Sequence, residues 1–420
     1  MTAAAPAIAV IGAHYGDEGK GLVVDRLVRD LADPWVVRFN GGAQAGHTVT
    51  LPDGRRHVFS HFGAGTVAGA PTFLSRFFVA NPYLFLKEAE ELRAIAGSPR
   101  VVLDPLSPLT TPYEVLVNRA VEEARGARRH GSCGVGFGET LEREENGPSI
   151  TASLLDDPDT LRSRLELLRA NHVPRRLAAL GVTIDADTRA DLADPSLIDE
   201  FTETARHFRR QIELWGAEVC ADRPVVFEGA QGLLLDQALG TFPHVTRSHT
   251  GLPNVVALAA DLGIDDIEVF YTMRSYVTRH GAGPLPHEVG APPYAGIVDR
   301  TNRPNPFQGT LRFALADPEA SVDVISADRA RVSGCGIDVT ASLAVTCLDQ
   351  LDDVVLCADG LVCDPDDFVG GLAGSIGAQR TLVSHGPTAA TATFSNPVSA
   401  RRARAADALT ANGPGLSWLR

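Results

Sequence analysis

The sequence predicts an α/β fold in which a mostly parallel central sheet is flanked by helices, with a helical insertion and long active-site loops. Three observations predict it. A short, β-branched apolar run at Ala7–Ile11 is typical of a strand buried on both faces. Similar runs at Trp35–Asn40, Pro224–Glu228 and Asp266–Tyr271 alternate with segments of helical period. The runs end in glycine or polar residues, which is typical of strands that deliver ligand-binding loops at the carboxyl edge of an open sheet.

The loop that follows the first run, residues 12–21, has the composition of a phosphate cradle. Its glycines allow backbone N–H groups to face an anion at the start of the next helix, and Lys20 adds a positive charge. Six residues separate the first glycine from the Gly-Lys pair, whereas the standard pattern has four and then Ser or Thr. Asp17 and Glu18 lie inside the loop, where a carboxylate suits metal binding or base catalysis. The loop predicts a P-loop-NTPase-like fold, and a glycine-rich turn without a ligand is the structural alternative.

Composition and charge exclude several classes of protein. The 420 residues carry a net charge of −14, which argues against nucleic acid as the main partner because such a surface needs a basic excess. No apolar run approaches the length of a membrane span, and no basic residue precedes the apolar N-terminus, so we expect a cytoplasmic protein. The six cysteines lack CxxC spacing and predict neither a disulfide framework nor a zinc site. We expect a single domain over residues 1–420, with a helical subregion at about residues 111–216.

Helical periodicity predicts the layers that flank the sheet. Helices are expected at Leu22–Leu31, Pro82–Ala96, Thr111–Arg128 and Ser399–Ala411. Residues 159–216 are charged and helical in period, and we interpret them as an appended helical layer. In this layer Pro174 should begin one helix, and Asp194 should cap another that continues to Trp215.

Glycine and proline content predicts the loops and the remaining strands. Gly131–Pro148 has the composition of a long mobile loop, and such loops often close over a ligand. Asp299–Gly309 is irregular and polar, and is a second candidate for such a lid. The turn PDG between Thr48–Leu51 and Arg56–His61 predicts a β-hairpin. Further strands are expected at Ala344–Leu348 and Val354–Ala358, with a last strand and turn at Leu382–Thr388.

Three separated motifs resemble a known family. GDEGKG in the phosphate loop, VVRFNGGAQAGHT at Val36–Thr48 and FEGAQGLLLD at Phe227–Asp236 are similar to adenylosuccinate synthetase, and they occur in the family order. Members of this family are ligases that join aspartate to IMP using GTP. The resemblance extends from near residue 7 to about residue 390. It implies Mg²⁺ as cofactor, GTP or ATP as co-substrate, a purine nucleotide and L-aspartate as substrates, and a homodimer.

The resemblance also implies roles for individual residues. Asp17 is the base that removes the ring proton and contacts Mg²⁺, and His47 hydrogen-bonds and protonates the transferred group. Gly46 gives its carbonyl to the metal, Lys20 holds nucleotide phosphates, and Gln231 contacts the acceptor base or phosphate. The structural alternatives are a helix N-cap for Asp17 and a loop histidine for His47.

The remaining implied residues fall into three groups. Those at the nucleoside triphosphate are Gly16, Glu18, Gly19, Lys20, Gly21, Thr48, Asp349, Ser384, Gly386 and Pro387. Those at the acceptor nucleotide are Gln44, Ser132, Cys133, Gln231, Thr246 and Arg303, with Cys133 in place of a family threonine. Those at the amino-acid substrate are Thr301, Arg303 and Asn305.

Three segments depart from the family pattern. GSCGVGFGETLEREENG has no arginine where the family lends one across the dimer to the acceptor phosphate. Asn305 stands where the family has an arginine that holds a carboxylate, with Arg312 as a possible substitute. Cys347 replaces the lysine of the guanine motif, which leaves both GTP and ATP open. The phosphoryl-transfer core is whole, which indicates a divergent paralogue that acts on IMP or an IMP-like nucleotide.

The sequence therefore predicts a GTP- or ATP-dependent ligase. It would phosphorylate a ring oxygen, displace it with aspartate, and release phosphate and nucleoside diphosphate. The alternative is a phosphate-loop ATPase or regulatory nucleotide-binding protein without ligase activity. Asp17, His47, Gln231 and Arg303 together discriminate the two, because simple hydrolysis has no use for all of them.

Overall fold

The computed structural model describes residues 5–126, 129–298 and 309–395. The strands are β1 (Ala7–Gly12), β2 (Trp35–Arg38), β3 (His47–Thr50), β4 (Arg56–Phe59), β5 (Thr72–Leu74), β6 (Val101–Leu103), β7 (Glu213–Leu214), β8 (Val225–Gly232), β9 (Asp266–Arg274), β10 (Val277–Arg279), β11 (Glu288–Val289), β12 (Arg312–Ala314), β13 (Asp338–Thr346), β14 (Val355–Leu356), β15 (Val362–Cys363), β16 (Thr381–Ser384) and β17 (Ala392–Ser395). The helices are α1 (Lys20–Val28), α2 (Pro82–Ala96), α3 (Pro112–Arg125), α4 (Phe137–Asn146), α5 (Pro158–Leu167), α6 (Val173–Leu180), α7 (Ala186–Ala193), α8 (Ser196–Arg209), α9 (Leu252–Asp261), α10 (Pro318–Ala330) and α11 (Pro365–Ile376).

The central sheet has β1 in its interior. Within the described residues, ten strands form this sheet in the order β17-β16-β13-β9-β1-β8-β2-β5-β6-β7. β1 pairs in parallel with both β8 and β9, and β17 runs antiparallel to β16 at one edge. The sheet is therefore mostly parallel, as predicted, and the carboxyl ends of its strands share one edge. This is the edge at which ligands bind in open α/β sheets.

Two apolar layers hold the helices against the sheet. On one face Val10 of β1 belongs to the same buried cluster as Val23 and Leu27 of α1. On the other face Ile11 belongs to a cluster with Leu258 of α9. Because successive strand residues point to opposite faces, adjacent residues of β1 fasten helices on both sides of the sheet. Burial of each such aliphatic side chain contributes about 1.5–3 kcal/mol to the stability of the fold. The strand that precedes the loop is therefore held firmly in position.

The sequence located most elements and misplaced the extents of several strands. The helix predicted at Pro82–Ala96 and the hairpin of β3 and β4 are confirmed. The strand predicted at Ala344–Leu348 begins earlier, at Asp338, and pairs with β9 along its whole length. Its first half alternates polar and apolar residues, which hid it from a search for apolar runs. β17 follows the strand that we expected to be the last, and it pairs with β16.

The prediction of a long mobile loop at Gly131–Pro148 is wrong over most of that segment. Residues 137–146 form α4, whose buried face includes Phe137, Thr140 and Arg143. The Arg143 side chain is fully buried, donates to Glu114 at 2.7 Å, and also donates to the carbonyl of Leu109 at 2.7 Å. One buried arginine therefore anchors a sequence whose charge suggested exposure. The glycine-rich residues 131–136 do remain a loop.

The helical layer after α4 is also shorter than predicted. Pro174 lies in the first turn of α6, as expected. Asp194 accepts a hydrogen bond from the amide of Ser196 at 2.8 Å, but α8 ends at Arg209 and not at Trp215. Ile212 is buried beyond the helix end, and the chain then forms β7 at the sheet edge. Residues 213–214 thus pair with β6 as a strand, although their sequence pattern predicted a helix.

Other predictions fall outside the described residues or concern single features. The helix predicted at Ser399–Ala411 and nearly all of the loop predicted at Asp299–Gly309 lie outside the described residues. In the part of the chain that the structure describes, no helix is long and apolar enough to cross a membrane. The six cysteines all lie in that part and none forms a disulfide.

Candidate active site

The loop between β1 and α1 is shaped by glycines and by one internal carboxylate. Gly16 and Gly19 have φ angles of 110° and 87°, which only glycine adopts at low cost. The buried carboxylate of Glu18 accepts hydrogen bonds from the amides of His14 at 3.1 Å and Gly16 at 2.7 Å. The Glu18 side chain therefore braces the loop from within, and α1 begins two residues later.

Lys20 places a buried positive charge at the start of α1. Its Nζ donates to the carbonyl of Gly16 at 2.6 Å and pairs with Glu18 at 3.2 Å. The charge of Lys20 also contributes to lowering the pKa values of both Asp17 and His47. Lys20 is therefore close enough to both predicted catalytic groups to affect their protonation.

The three family-like motifs come together at the carboxyl ends of their strands. The Asn40 side chain exchanges two hydrogen bonds with the backbone of Ala230, at 3.0 and 2.7 Å. A Cβ atom on Gly41 would lie 2.4 Å from Cβ of Ala230, and one on Gly16 would lie 2.9 Å from Cα of Gln231. The backbones are thus packed so closely that side chains are excluded between them, and the three loops form one surface.

Asp17 lies in the phosphate loop with a quarter of its side chain exposed, and its Oδ2 is 3.0 Å from Nε2 of His280. Burial alone would raise the pKa of Asp17. The contact with His280 and the charges of Arg274 and Lys20 outweigh burial and lower that pKa to about 2. Asp17 is therefore ionised at neutral pH, as a base or a cation ligand must be.

His47 begins β3 and is held by a buried carboxylate. Its Nδ1 is hydrogen-bonded to Glu228, whose other oxygen accepts from the amide of Ala64 at 2.9 Å. An ionised carboxylate can only accept, so Nδ1 carries the proton and Nε2 is the free ring nitrogen. Burial, together with the charges of Arg38 and Lys20, lowers the pKa of His47 more than Glu228 raises it. A Cβ on Gly21 would lie 3.1 Å from Cβ of His47, so α1 packs directly against β3.

Glu228 belongs to a buried charge network. Burial alone would raise the pKa of Glu228, but Arg38, His47 and the amide of Ala64 hold it below its usual range. Arg38 is Glu228's register partner on the neighbouring strand, is fully buried, and donates to the carbonyl of Ser60 at 3.0 Å. The imidazole is thus oriented by a carboxylate that is itself fixed from two sides.

Two amide side chains in the site have unmet hydrogen-bonding capacity. Among the described residues, both polar atoms of the Gln44 amide and Oε1 of Gln231 are buried without a hydrogen-bond partner. Leaving a buried polar group unsatisfied costs about 1–3 kcal/mol. A Cβ on Gly42 would lie 3.1 Å from Oε1 of Gln44, and one on Gly41 would lie 3.5 Å from Oε1 of Gln231. Both amides therefore lie at the glycine-rich loop after β2, where a polar ligand would satisfy them.

The residues expected near the base of the triphosphate lie at the ends of β13 and β16, which are adjacent and parallel. The hydroxyl of Thr346 donates to the carbonyl of Glu18 at 2.8 Å, which joins the end of β13 to the phosphate loop. Cys347 has a φ of 64°, and Asp349 is exposed two residues later. The hydroxyl of Ser384 donates to the carbonyl of Gly386 at 2.7 Å and so shapes the neighbouring turn, in which Pro387 is exposed.

The loop expected to hold the acceptor phosphate is organised by α3. The hydroxyl of Ser132 accepts from the Asn118 amide at 2.9 Å, and Cys133 is half-buried beside it. The buried carboxylate of Glu122 accepts from the amide of Gly131 at 2.9 Å and from that of Ser132 at 3.4 Å. These contacts set the loop backbone in place without an arginine at the position that the family pattern predicts.

Thr246 lies in the loop that joins β8 to α9, and its amide donates to the carbonyl of Leu235 at 2.8 Å. The buried Asp236 accepts from the amide of Thr250 at 2.7 Å and pairs with Arg331 at 3.2 Å. The loop that carries Thr246 is therefore tied to α10. The other residues predicted at the acceptor and the amino acid, Thr301, Arg303 and Asn305, lie outside the described residues. Arg312, the possible substitute, pairs with Glu288 and donates to the carbonyls of Gly281 and Gly283 at 3.1 and 2.9 Å.

Asp328 of α10 also holds the start of α9 in place, and its contribution to stability depends on pH. It accepts from the amide of Leu252, the first residue of α9, at 3.0 Å and from the hydroxyl of Tyr271 at 3.1 Å. Burial raises the pKa of Asp328 to about 6, well above its ordinary value. Its ionised form is therefore costly in the folded state. This cost is absent below the ordinary pKa of about 3.9 and develops as pH rises toward 6.

We expect Asp328→Asn to remove this pH dependence. Relative to wild type, the variant should gain about 2–3 kcal/mol of unfolding free energy between pH 4 and pH 7, because each pKa unit corresponds to about 1.4 kcal/mol. Urea unfolding of both proteins at several pH values measures the difference. Asp323→Asn, an exposed position on the same helix, is the matched control. If the difference in unfolding free energy between wild type and Asp328→Asn stays constant with pH, the pKa of Asp328 is not raised by folding and the prediction is wrong.

The donor set suits magnesium. Asp17 offers a carboxylate and Gly46, which is exposed immediately before His47, offers a carbonyl. Within the described ranges, no group of three or more His, Cys, Asp or Glu side chains is arranged to hold a metal. Mg²⁺ commonly takes one or two protein oxygens and completes its shell with phosphates and water. A carboxylate such as that of Asp17 and a carbonyl such as that of Gly46 are therefore the kinds of donor that a cation arriving with a triphosphate takes.

Sequence reasoning missed three residues that the structure brings to the site. Glu228 orients His47, His280 contacts Asp17, and Arg274 at the end of β9 donates to the hydroxyl of Tyr276 at 3.1 Å. A signal existed for Glu228, because a carboxylate inside an apolar strand needs a buried partner. His280 and Arg274 follow strand ends, but nothing local indicates that they reach the phosphate loop.

This fold and site define a nucleotide-dependent α/β enzyme of the P-loop-like type. The family model "Adenylosuccinate synthetase" matches residues 9–302. The chain is 31% identical to the adenylosuccinate synthetase of Xylella fastidiosa strain M12 over 354 residues, which covers 82% of this chain and 77% of that protein. It is 30% identical to that of Xanthomonas oryzae pv. oryzae strain PXO99A over 352 residues, with the same coverage. The chain belongs to the adenylosuccinate synthetase family and is a ligase of that family.

Two solved structures share the fold. Fully ligated adenylosuccinate synthetase from Plasmodium falciparum aligns with a TM-score of 0.70 and 18% identity, covering 93% of this chain and all of that one. The succinoaminodeoxyadenylate synthetase of cyanophage S-2L, bound to dGMP and dATP, aligns with a TM-score of 0.57 and 16% identity, covering 93% and 95%. At these identities the likeness concerns the fold alone.

Proposed function

We propose that this enzyme joins L-aspartate to a 6-oxopurine nucleotide, IMP or a close analogue, at the expense of GTP or ATP. The ring oxygen is first phosphorylated and then displaced by the amine of aspartate, with release of phosphate and nucleoside diphosphate. Bound Mg²⁺, held by Asp17 and Gly46, would neutralise phosphate charge. A homodimer is carried over from the family as part of this proposal.

The observation that carries the proposal is the convergence of Asp17, His47, Lys20 and Gln231 around one loop. A hydrolase needs a phosphate cradle and a positioned water. It does not need an ionised carboxylate and an imidazole that are both affected by the charge of the same lysine. Nor does it need the buried amide atoms that, among the described residues, lack hydrogen-bond partners. A ligase that must deprotonate a ring and stabilise a transferred phosphoryl group uses all four.

The electrostatics support this division of labour. Asp17 is ionised and can accept the proton that leaves the ring nitrogen, which makes the ring oxygen a better nucleophile toward the γ-phosphoryl group. His47 presents Nε2 to the site while Nδ1 is held by Glu228. A polyanion opposite Nε2 raises the pKa of His47, so that Nε2 gains a proton and becomes a donor to the transferred group. Lys20 offsets phosphate charge throughout.

The proposal leaves two choices to experiment, namely which acceptor nucleotide and which nucleoside triphosphate the enzyme uses. The S-2L relative was solved with dGMP and dATP, whereas the curated relatives are adenylosuccinate synthetases. Cys347 in the guanine motif and the absence of the family arginine after Gly131 both lie where specificity would change. The acceptor panel therefore comprises IMP, dGMP, GMP and base-modified analogues, each tested with GTP and with ATP.

A phosphate-release assay tests the proposal. Release should require the triphosphate, Mg²⁺, an acceptor from the panel and L-aspartate together, and mass spectrometry should find the acceptor–aspartate adduct in equal amount. Steady release from the triphosphate alone, without adduct, would instead favour the ATPase. Thermal shifts with each acceptor and Mg²⁺ then rank the candidates by stabilisation.

A further inference from the structure

The contact between His280 and Asp17 has no counterpart in the roles described so far. We propose that His280 is a positioning residue that holds the carboxylate of Asp17 in its working orientation. The proposal rests on the proposed function, because it concerns the base of that reaction. The contact joins residues from distant parts of the chain, with 3.0 Å between Nε2 of His280 and Oδ2 of Asp17.

His280 is presented by a rigid segment. It follows β10, which pairs with β12, and the loop after it turns at Gly281 and Gly283. Arg279, which is almost fully buried, donates to the carbonyl of Pro284 at 2.7 Å. Arg312 donates to the carbonyls of both glycines. Two arginines therefore hold the loop immediately after His280, and β10 holds the chain immediately before it. The backbone that carries the His280 ring is thus fixed on both sides.

Asp17, by contrast, lies on a loop that offers its side chain little support of its own. It follows Gly16 and precedes Glu18, whose carboxylate accepts a hydrogen bond from the loop backbone. A quarter of the Asp17 side chain is exposed. Without an external partner its carboxylate would sample several rotamers, and ordering it on each turnover would reduce the rate. A donor fixed on another strand removes that cost in advance.

The contact also determines which oxygen is available. With Oδ2 against Nε2 of His280, Oδ1 is left to face a ring N–H or a cation. A carboxylate with one oxygen held against a ring nitrogen is restricted in its rotation. This restriction limits the directions from which the second oxygen can be approached. His280 thereby selects the geometry in which Asp17 meets its substrate.

Three variants test the proposal. His280→Phe keeps a ring but no donor, His280→Asn keeps a donor that is too short to reach, and His280→Gln keeps a donor at similar reach. We expect the Phe and Asn variants to lower kcat by about 10–100-fold, as for other residues that orient catalytic carboxylates and metal ligands. The Gln variant should recover most of the loss, and the KM values for acceptor and aspartate should change little.

His287→Gln is the matched control. His287 lies seven residues later, contacts Asp317 at 3.3 Å with similar exposure, and is outside the site. Its substitution should leave kcat unchanged. Wild-type kcat in both His280→Phe and His280→Asn overturns the proposal, as does a loss confined to KM or one that Gln fails to relieve. Two variants of different size guard against a packing defect in either one.

A binding cycle provides a second readout that does not need turnover. Calorimetry with GTP and with ATP, each with and without Mg²⁺, gives the metal-dependent part of triphosphate affinity. We expect His280→Phe and Asp17→Asn each to reduce the gain in triphosphate affinity that Mg²⁺ gives. The double variant should show the same reduction as Asp17→Asn alone, because the effects of coupled residues are not additive. Additive losses overturn the proposal. If the ligase assay fails while this coupling holds, the fault lies in the proposed reaction and not in the positioning role.

Discussion

Replacing Asp17 by asparagine is expected to lower kcat by about 10²–10⁴-fold, which is the usual contribution of a positioned general base. Asparagine has the same shape and its carbonyl oxygen can still accept from His280. What it loses is the negative charge, and with it the ability to accept a ring proton. The phosphate-release assay with saturating acceptor, aspartate and triphosphate measures the change.

The binding profile should separate lost chemistry from a damaged loop. Asp17→Asn should bind triphosphate without Mg²⁺ about as well as wild type, because Lys20 and the loop backbone are untouched. The added affinity that Mg²⁺ gives should fall. Asp53→Asn, at the exposed tip of the β3–β4 hairpin where Asp53 pairs with Arg55, is the control and should leave activity unchanged. Undiminished product formation in Asp17→Asn would remove the basis for the proposed mechanism.

The sequence was most informative where chemistry and local geometry coincide. The run from β1 through the glycine-rich loop into α1 is contiguous, so its strand, its turn and its positive charge could be predicted together. The same holds for the β3–β4 hairpin, because a PDG turn and two short alternating runs are sufficient local signals. Asp17 and Lys20 lie in the first of these segments and His47 begins the second, and their catalytic roles stay predictions.

The sequence was least informative where a long-range pairing decides the outcome. Glu228 and Arg38 are register partners on adjacent parallel strands, yet 189 residues lie between them in the chain. Likewise α4 was hidden because its glycine-rich start and acidic surface outweigh, in composition, the buried Arg143 that anchors it. Local patterns carry no information about which distant strand or helix will be adjacent, and the supporting residues of this site depend on that.

Replacing Glu228 by glutamine is expected to affect both stability and rate. Arg38 is fully buried and would keep only the nearby charge of Glu88. Removing one partner of a buried charge pair costs about 3–5 kcal/mol, so we expect a loss of at most that size. The negative charge that raises the pKa of His47 would also be lost, so that Nε2 would be protonated less readily when phosphate binds. We expect kcat to fall by about 10²-fold or more. Urea unfolding and the phosphate-release assay measure the two effects.

A second substitution separates these two roles of Glu228. Combining Glu228→Gln with Arg38→Met removes both buried charges, and should recover most of the stability because a neutral, well-packed pair avoids the uncompensated charge. The double variant should not recover kcat, since His47 still lacks its carboxylate. NMR titration of the His47 ring should show its pKa lower in both variants than in wild type. Recovery of kcat together with stability would mean that Glu228 serves folding alone, whereas a stable, slow double variant assigns Glu228 to the orientation and proton affinity of His47.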